Sequence, residues 1–167
     1  YDIIVYKKGA WALHMLRVLM LDLKTMNEDR FTAAMRDFFQ TYSGKRASTD
    51  DFRRTIERHT GSDMQWFFRQ WIYAAEVPSY RVAWRSEPAE NGQVRVKLRV
   101  RQEGVPDDFL MYVPVTLDLG KDRVARVRVK VTGKQSDIEL PLMPAEPKGL
   151  KFNDFEGVLA EVKTEGW

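Results

Sequence analysis

The sequence contains no cysteine and only two histidines, and both shortages exclude kinds of chemistry. Without cysteine there are no disulfides, no thiolate metal ligands and no cysteine nucleophile. His14 and His59 lie in neither an H-E-x-x-H motif nor a closely spaced pair. Because a zinc site needs several convergent ligands, we expect both histidines to be structural or surface residues. The sequence therefore predicts no metal site in this chain.

Long apolar runs are also missing from the sequence. No stretch approaches the ~18 consecutive apolar residues of a transmembrane helix, so none is predicted. The apolar opening residues follow no charged segment, which is unlike a signal peptide. The sequence begins with Tyr1 rather than methionine, and we expect it to be a piece of a longer protein. The compartment stays open, with a periplasmic, secreted or cytoplasmic location equally compatible.

What is present is the composition of a globular protein. The 167 residues are 44% hydrophobic and 31% charged, which is enough to bury a sizeable core in one domain or two small ones. The net charge of +3 is a mild excess that does not call for a nucleic-acid partner.

The first half of the chain follows helical periodicity. Residues 9–23 are apolar almost all round, which is typical of a helix buried on most sides. Asn27 is a plausible N-cap for a second helix, and Ser62 with Gln65 forms a capping-box pattern for a fourth. Four helices joined by short turns are predicted over residues 6–75.

The second half alternates apolar and polar residues. The runs lie at residues 80–84, 94–100, 111–119, 127–131 and 138–142, separated by glycine- and asparagine-containing turns. Pro114 inside the third run suggests an edge strand or a bulge. The chain is therefore predicted to be α+β, with an N-terminal four-helix lobe (residues 1–77) followed by an antiparallel, immunoglobulin-like β-sandwich (residues 78–167).

Two of these runs carry basic residues at alternate positions. They are Arg95, Lys97, Arg99 and Arg101 in one run, and Arg126, Arg128 and Lys130 in the other. If the two strands are neighbours, they form a basic stripe that suits an anionic partner. The favoured alternative is a solvated outer face, partly neutralised by Glu103, Asp107, Asp108, Asp118 and Asp122.

Aromatic residues of the first half leave two readings open. Trp66, Phe67, Phe68 and Trp71 line either a pocket or, as we expect, the core. The phenol of Tyr6 is a good hydrogen-bond donor to a developing oxyanion from a position just before a helix. From residue type alone, plain packing is the stronger reading for Tyr6.

A family resemblance favours the catalytic interpretation of Tyr6 over plain packing. Tyr6-Lys7-Lys8-Gly9-Ala10, running into an apolar helix, resembles the Y-x-K-G-A segment of the zinc aminopeptidases, the aminopeptidase N-like gluzincins. Further stretches are similar to the helices that follow the zinc site in this family. They are residues 48–52, 61–63, 67–71 and 77–78. The resemblance covers residues 1–78, and the strands fit the family's β-sandwich by pattern only.

The resemblance implies a zinc-dependent hydrolysis of N-terminal peptide bonds. In the family, zinc held by H-E-x-x-H and a more distant glutamate activates water, and a tyrosine at the position of Tyr6 donates a hydrogen bond to the oxyanion. The zinc ligands and the catalytic glutamate lie upstream of that tyrosine and are absent here. We therefore expect the fragment alone to bind no zinc and to be inactive, with peptide substrate and the remainder of the catalytic domain as partners.

Two departures from the family pattern leave an alternative open. Lys7 stands where the family often has glutamate, and residues 74–76 replace a glycine often found before the proline. Some relatives of these peptidases have lost zinc ligands and act as adaptors. The alternative is therefore a non-catalytic binding or scaffold module.

Overall fold

The chain forms two compact units, residues 1–75 and residues 76–167. A computed structural model describes the backbone of residues 2–167 and the side chains of residues 7–167. The first unit contains four helices and the second contains seven strands in two sheets. The predicted α+β class, a helical lobe followed by a β-sandwich, is confirmed.

The helical unit consists of α1 (Asp2–Met20), α2 (Asp29–Tyr42), α3 (Thr49–Thr60) and α4 (Gln65–Trp71). A capping box at Ser48 starts α3. The Asp51 amide donates to the Ser48 hydroxyl at 3.1 Å, and the Ser48 amide donates to the Asp51 carboxylate at 2.9 Å. Gly61 ends α3 with a φ of 67°, a left-handed conformation that glycine adopts without steric cost.

Three helix starts differ from the prediction. The N-cap of α2 is Glu28 rather than Asn27, and the Asn27 side chain accepts the Asp29 amide at 2.7 Å. Helix α1 begins at Asp2 rather than at residue 9, so Tyr6 lies within the helix and not before it. The predicted capping box of Ser62 with Gln65 is wrong, because α4 follows Met64 and has no side-chain cap there. The Asp63 carboxylate instead accepts the Gln65 amide at 2.8 Å.

The core of the helical unit combines aliphatic side chains with aromatic rings. Phe67 and Trp71 are fully buried and Phe68 is 2% exposed, which confirms the core reading for these three aromatics. Trp66, the fourth, is only half-buried. The Phe52 ring of α3 lies edge-on to the Phe38 ring of α2, with 5.1 Å between centroids. Such tilted aromatic pairs add about 0.5–1.5 kcal/mol beyond the area they bury.

The sandwich unit contains seven strands. They are β1 (Ser79–Pro88), β2 (Val94–Glu103), β3 (Leu110–Gly120), β4 (Arg123–Thr132), β5 (Gln135–Glu139), β6 (Gly149–Phe152) and β7 (Glu161–Thr164). One sheet has the order β5-β2-β1-β7 and the other β4-β3-β6. Neighbouring strands are antiparallel except β7, which pairs parallel to β1.

The alternation of each long strand places one face in the core. Buried inner residues include Val96, Leu98 and Val100 from one sheet and Met111, Val113 and Val115 from the other. The intervening residues of β2 are half-buried or exposed. This is the period-two pattern of a sheet with one face packed and one solvated.

Pro114 occupies a central strand, which contradicts the expectation of an edge strand. Strand β6 pairs with β3 only from Val115 to Asp118, so Pro114 has a strand neighbour on the β4 side alone. Its missing N–H therefore removes no ladder hydrogen bond if it points to the β6 side. The irregularity of β3 lies later, between Asp118 and Gly120.

Tyr80 is a fully buried residue of the sandwich whose hydroxyl has no hydrogen-bond partner among the described residues. Burial raises the pKa of this phenol, so it stays neutral. Because an unpaired buried hydroxyl is destabilising, we expect Tyr80→Phe to raise the free energy of unfolding by about 1 kcal/mol in urea denaturation. The exposed Tyr73 provides the matched Tyr→Phe control. A loss of stability specific to Tyr80→Phe would show that the hydroxyl has a favourable partner.

Candidate functional site

Tyr6 lies in the second turn of α1. Its side chain falls outside the described residues, so its role as an oxyanion donor stays a prediction. The residues that follow it are described. Lys8 donates its ammonium group to the carbonyl of Ala74, which links α1 to the segment after α4. Further along α1, Met15 and Leu16 are buried and fix the helix in the core.

One face of α1 remains uncovered, contrary to the expectation of a helix buried on most sides. Gly9 and Ala10 are exposed, and Leu13 is 39% exposed. Position 6 precedes these residues by three, four and seven places, which is the spacing of one helix face. No described atom lies within 4 Å of the place where a Cβ on Gly9 would stand.

Two large aromatic side chains elsewhere in the helical unit are also solvent-exposed. Phe39 of α2 is 71% exposed, and Tyr73, just after α4, is 70% exposed. Together with Leu13 they are apolar surface that this unit leaves uncovered.

The two histidines have the structural settings that the sequence predicts. The ring of His14 is half-buried and lies edge-on to Trp11, with centroids 5.8 Å apart. His59 Nε2 lies 2.8 Å from the Asp37 carboxylate, and Arg58 donates to the same carboxylate at 3.1 Å. The hydrogen bond with His59, followed by that from Arg58, lowers the pKa of Asp37.

Residues 7–167 do not provide a metal site. Within the part of the chain that the structure describes, no group of three or more His, Asp or Glu side chains is placed to hold an ion. Nor does any described helix have the length and apolar character needed to cross a membrane.

A cavity of about 390 Å³ opens on the helical unit. It is lined by Asp50, Arg53, Gln65, Phe68, Arg69 and Tyr73. The Arg53 guanidinium lies 2.8 Å from Glu57 and 3.0 Å from Asp50, and the bond with Glu57 raises its pKa. The Arg53 charge is therefore already matched by two carboxylates, and we assign no chemistry to this cavity.

The two basic strands do not form one stripe, because β2 and β4 lie in different sheets. The expectation that depended on their being neighbours is wrong. Each of the four β2 cations has an acidic partner. The pairs are Arg95–Glu139 at 3.1 Å, Lys97–Glu87 at 2.8 Å, Arg99–Asp137 at 3.0 Å and Arg101–Glu165 at 3.3 Å.

These partners differ from those that the sequence suggested. Of the proposed acids, Glu103 pairs with Arg81 of β1 and Asp107 lies 4.0 Å from Lys134, so neither neutralises β2. Asp137 and Glu139 lie directly opposite Arg99 and Lys97 in the sheet register. Asp137 directly precedes the predicted run 138–142 and Glu139 lies within it, and this alternate spacing was a signal of the arrangement.

Trp167, the last residue of the sequence given, lies against arginines of β1 and β2. The guanidinium groups of Arg85 and Arg99 each lie 4.6 Å from the Trp167 ring centroid. This is within the distance of a cation–π contact. Trp167 lies far from both arginines in sequence, and no local pattern pointed to this contact.

Comparisons with known proteins match the helical unit to a peptidase family. Residues 1–71 match the Peptidase family M1 domain. Over 122 residues the chain is 26% identical to Aminopeptidase N of Escherichia coli (strain K12). The matched segment is 71% of this chain and 13% of that protein, so the chain spans a small part of the length of this relative.

Proposed function

We propose that this chain, whose helical unit matches the Peptidase family M1 domain, is part of a zinc-dependent aminopeptidase that removes N-terminal residues from peptides. The match over residues 1–71 carries the proposal, and the likeness to Aminopeptidase N supports it. In this proposal the helical lobe, residues 1–77, is part of the metallopeptidase catalytic domain. Residues 78–167 are a separate immunoglobulin-like domain.

Tyr6 is the residue to which we assign a direct role in the reaction. A neutral phenol donates one hydrogen bond, and its pKa of about 10 keeps it protonated at neutral pH. Attack on a peptide carbonyl places negative charge on the carbonyl oxygen, and a donor fixed at that point stabilises the transition state. Helix α1 supplies a firm support because Met15 and Leu16 are buried and Lys8 is bonded to Ala74.

The uncovered face of α1 supports contact with another part of the peptidase. Glycine inside a helix costs about 1 kcal/mol relative to alanine, and no described neighbour makes use of the space beside Gly9. A further segment that packs closely against Gly9, Ala10 and Leu13 would explain both the glycine and the exposed apolar surface. We propose that this segment is the remainder of the catalytic domain, on the face that includes position 6.

Zinc is assigned to the longer protein and not to this chain. The described side chains do not fit a zinc site, since no suitable ligand group occurs among them. When bound, the ion would supply an activated water. The contribution of this chain is the Tyr6 donor and the helices that hold it, and the 167-residue chain alone is proposed to be inactive.

The activity is tested with the longer protein that contains this sequence. Its turnover of an aminoacyl-anilide is compared with that of the N-acetylated anilide, which differs only at the amino group. We expect release of the anilide from the free-amine substrate and none from the acetylated one. No release from either would overturn the aminopeptidase assignment and favour the binding or scaffold module. Equal release from both would indicate a peptidase that does not recognise the N-terminus.

A further inference from the structure

Strand β4 is a long edge strand with a single sign of charge. It has 10 residues, against 5 in β5 and 4 each in β6 and β7, the other strands at sheet edges. Its charged residues are Arg123, Arg126, Arg128 and Lys130, and it contains no acid. An edge strand presents backbone N–H and C=O groups to which another strand can bond.

Two cations of β4, Arg126 and Lys130, differ from those of β2 in their partners. Every β2 cation has a carboxylate oxygen within 3.3 Å of its side-chain nitrogen. On β4, neither Arg126 nor Lys130 has an ion pair within the described part of the chain. Arg126 is half-buried, and its Nε is buried with no hydrogen-bond partner there. The β4 face therefore carries positive charge that the sandwich itself does not neutralise.

The backbone of these same residues points to the open edge of the sheet. Pro114 lies opposite Arg128 and has no N–H, so this pair is of the type that exchanges no hydrogen bonds across the ladder. Backbone direction alternates along a strand in step with the side chains. Arg126 and Lys130, two residues either way, therefore also direct their N–H and C=O groups away from β3.

The end of β4 shows the same direction independently. The Thr132 amide donates to the Ser136 hydroxyl at 3.1 Å, and that hydroxyl donates to the Thr132 carbonyl at 2.9 Å. Both backbone groups of Thr132 thus bond on the side away from β3. Thr132, Lys130 and Arg126 lie at alternate positions of β4, so their backbone groups point the same way. The bonds of Thr132 therefore support the conclusion drawn from Pro114, that these groups face the open edge of the sheet.

We propose that β4 binds an acidic extended segment of a partner protein, which adds to the sheet as a further strand. Partner residues that bond to Arg126 and Lys130 would place their side chains on the same face, with Cα atoms about 5.5 Å away. Alternate residues of a strand repeat every ~6.7 Å, so acidic residues at alternate positions match the basic repeat of β4. Backbone bonds would supply affinity and the paired charges selectivity.

Other roles for the basic edge make different predictions. Cations on an edge strand also discourage aggregation, and in that role alone β4 would bind no acidic strand. Single-stranded nucleic acid favours aromatic side chains among the cations, and β4 has none. The inference concerns the sandwich unit and does not depend on the role of Tyr6.

The test uses the 167-residue chain and a fluorescent peptide of about ten residues that alternates glutamate and valine. We expect saturable binding in fluorescence anisotropy at low salt. Replacing both Arg126 and Lys130 by glutamine should weaken it by about tenfold, the effect of two modest ion pairs. The matched control replaces Arg81 and Lys163 by glutamine. It removes the same charge from the other sheet, where these cations pair with Glu103 and Glu161.

A second peptide separates strand addition from charge attraction. N-methylation of its glutamates keeps the charge but removes the N–H groups that would face β4, and we expect it to abolish binding. Binding that survives methylation, or that falls equally in both double variants, would overturn the proposal. A chain that binds heparin or single-stranded DNA but does not bind the peptide would also overturn it. Thermal unfolding of each variant checks that a loss reflects the surface and not the fold.

Discussion

Replacing Tyr6 by phenylalanine is expected to lower kcat of the peptidase that contains this chain by about 10²–10³. The substitution keeps the ring and removes the hydroxyl, so packing within α1 is preserved. The lost hydrogen bond is one that forms with the charge of the transition state. We therefore expect kcat and kcat/KM to fall together while KM changes little.

The control for this variant is Tyr73→Phe, which removes a hydroxyl from an exposed tyrosine of the same unit. Steady-state kinetics on an aminoacyl-anilide should separate the two variants. Unchanged turnover in Tyr6→Phe would show that Tyr6 is a packing residue. A rise in KM with constant kcat would assign it to substrate binding instead.

Truncating Phe67 to alanine is expected to lower the stability of the helical unit by about 3–5 kcal/mol. The side chain is fully buried, and its ring lies edge-on to those of Trp66 and Phe68, at 5.8 and 5.9 Å. Alanine would leave a cavity in the core, to which the short helix α4 contributes this ring. The loss is measured as the change in urea midpoint of the helical circular dichroism signal.

Phe39→Ala is the matched control, because the same ring is removed from a residue that is 71% exposed. We expect a change of about 0.5 kcal/mol or less in the isolated chain. A large loss in Phe39→Ala would mean that its ring is packed in solution. A small loss in Phe67→Ala would mean that the core does not depend on this ring.

The regular parts of the fold were predictable because they depend on local periodicity. Strands β1 to β4 have ten or more residues each. Burial alternates along the whole of β2 and along parts of the other three. A shift of one residue in register would expose the whole inner face. The alternation therefore indicates both the strand and its buried face. Three of the four α4 aromatics, Phe67, Phe68 and Trp71, were likewise assigned correctly to the core.

The remaining features depend on contacts that sequence spacing does not encode. Strands β6 and β7 have 4 residues each, too few to show an alternation. The partners of the β2 cations come from strands that only the folded sheet brings alongside. Pro114 is tolerated in a central strand because β6 is short. The sequence did not predict β6, so it could not predict this tolerance. The role proposed for Tyr6 rests on the family resemblance, since a lone tyrosine at a helix favours plain packing.

Affinity for a tetrahedral phosphinate inhibitor is the most direct test of the central claim, that Tyr6 stabilises the transition state in an aminopeptidase. Such a compound resembles the tetrahedral oxyanion more than the substrate does. We expect Tyr6→Phe in the longer protein to weaken inhibitor binding by about the same 10²–10³ as kcat/KM. Equal inhibitor affinity in the two proteins would contradict the role assigned to Tyr6.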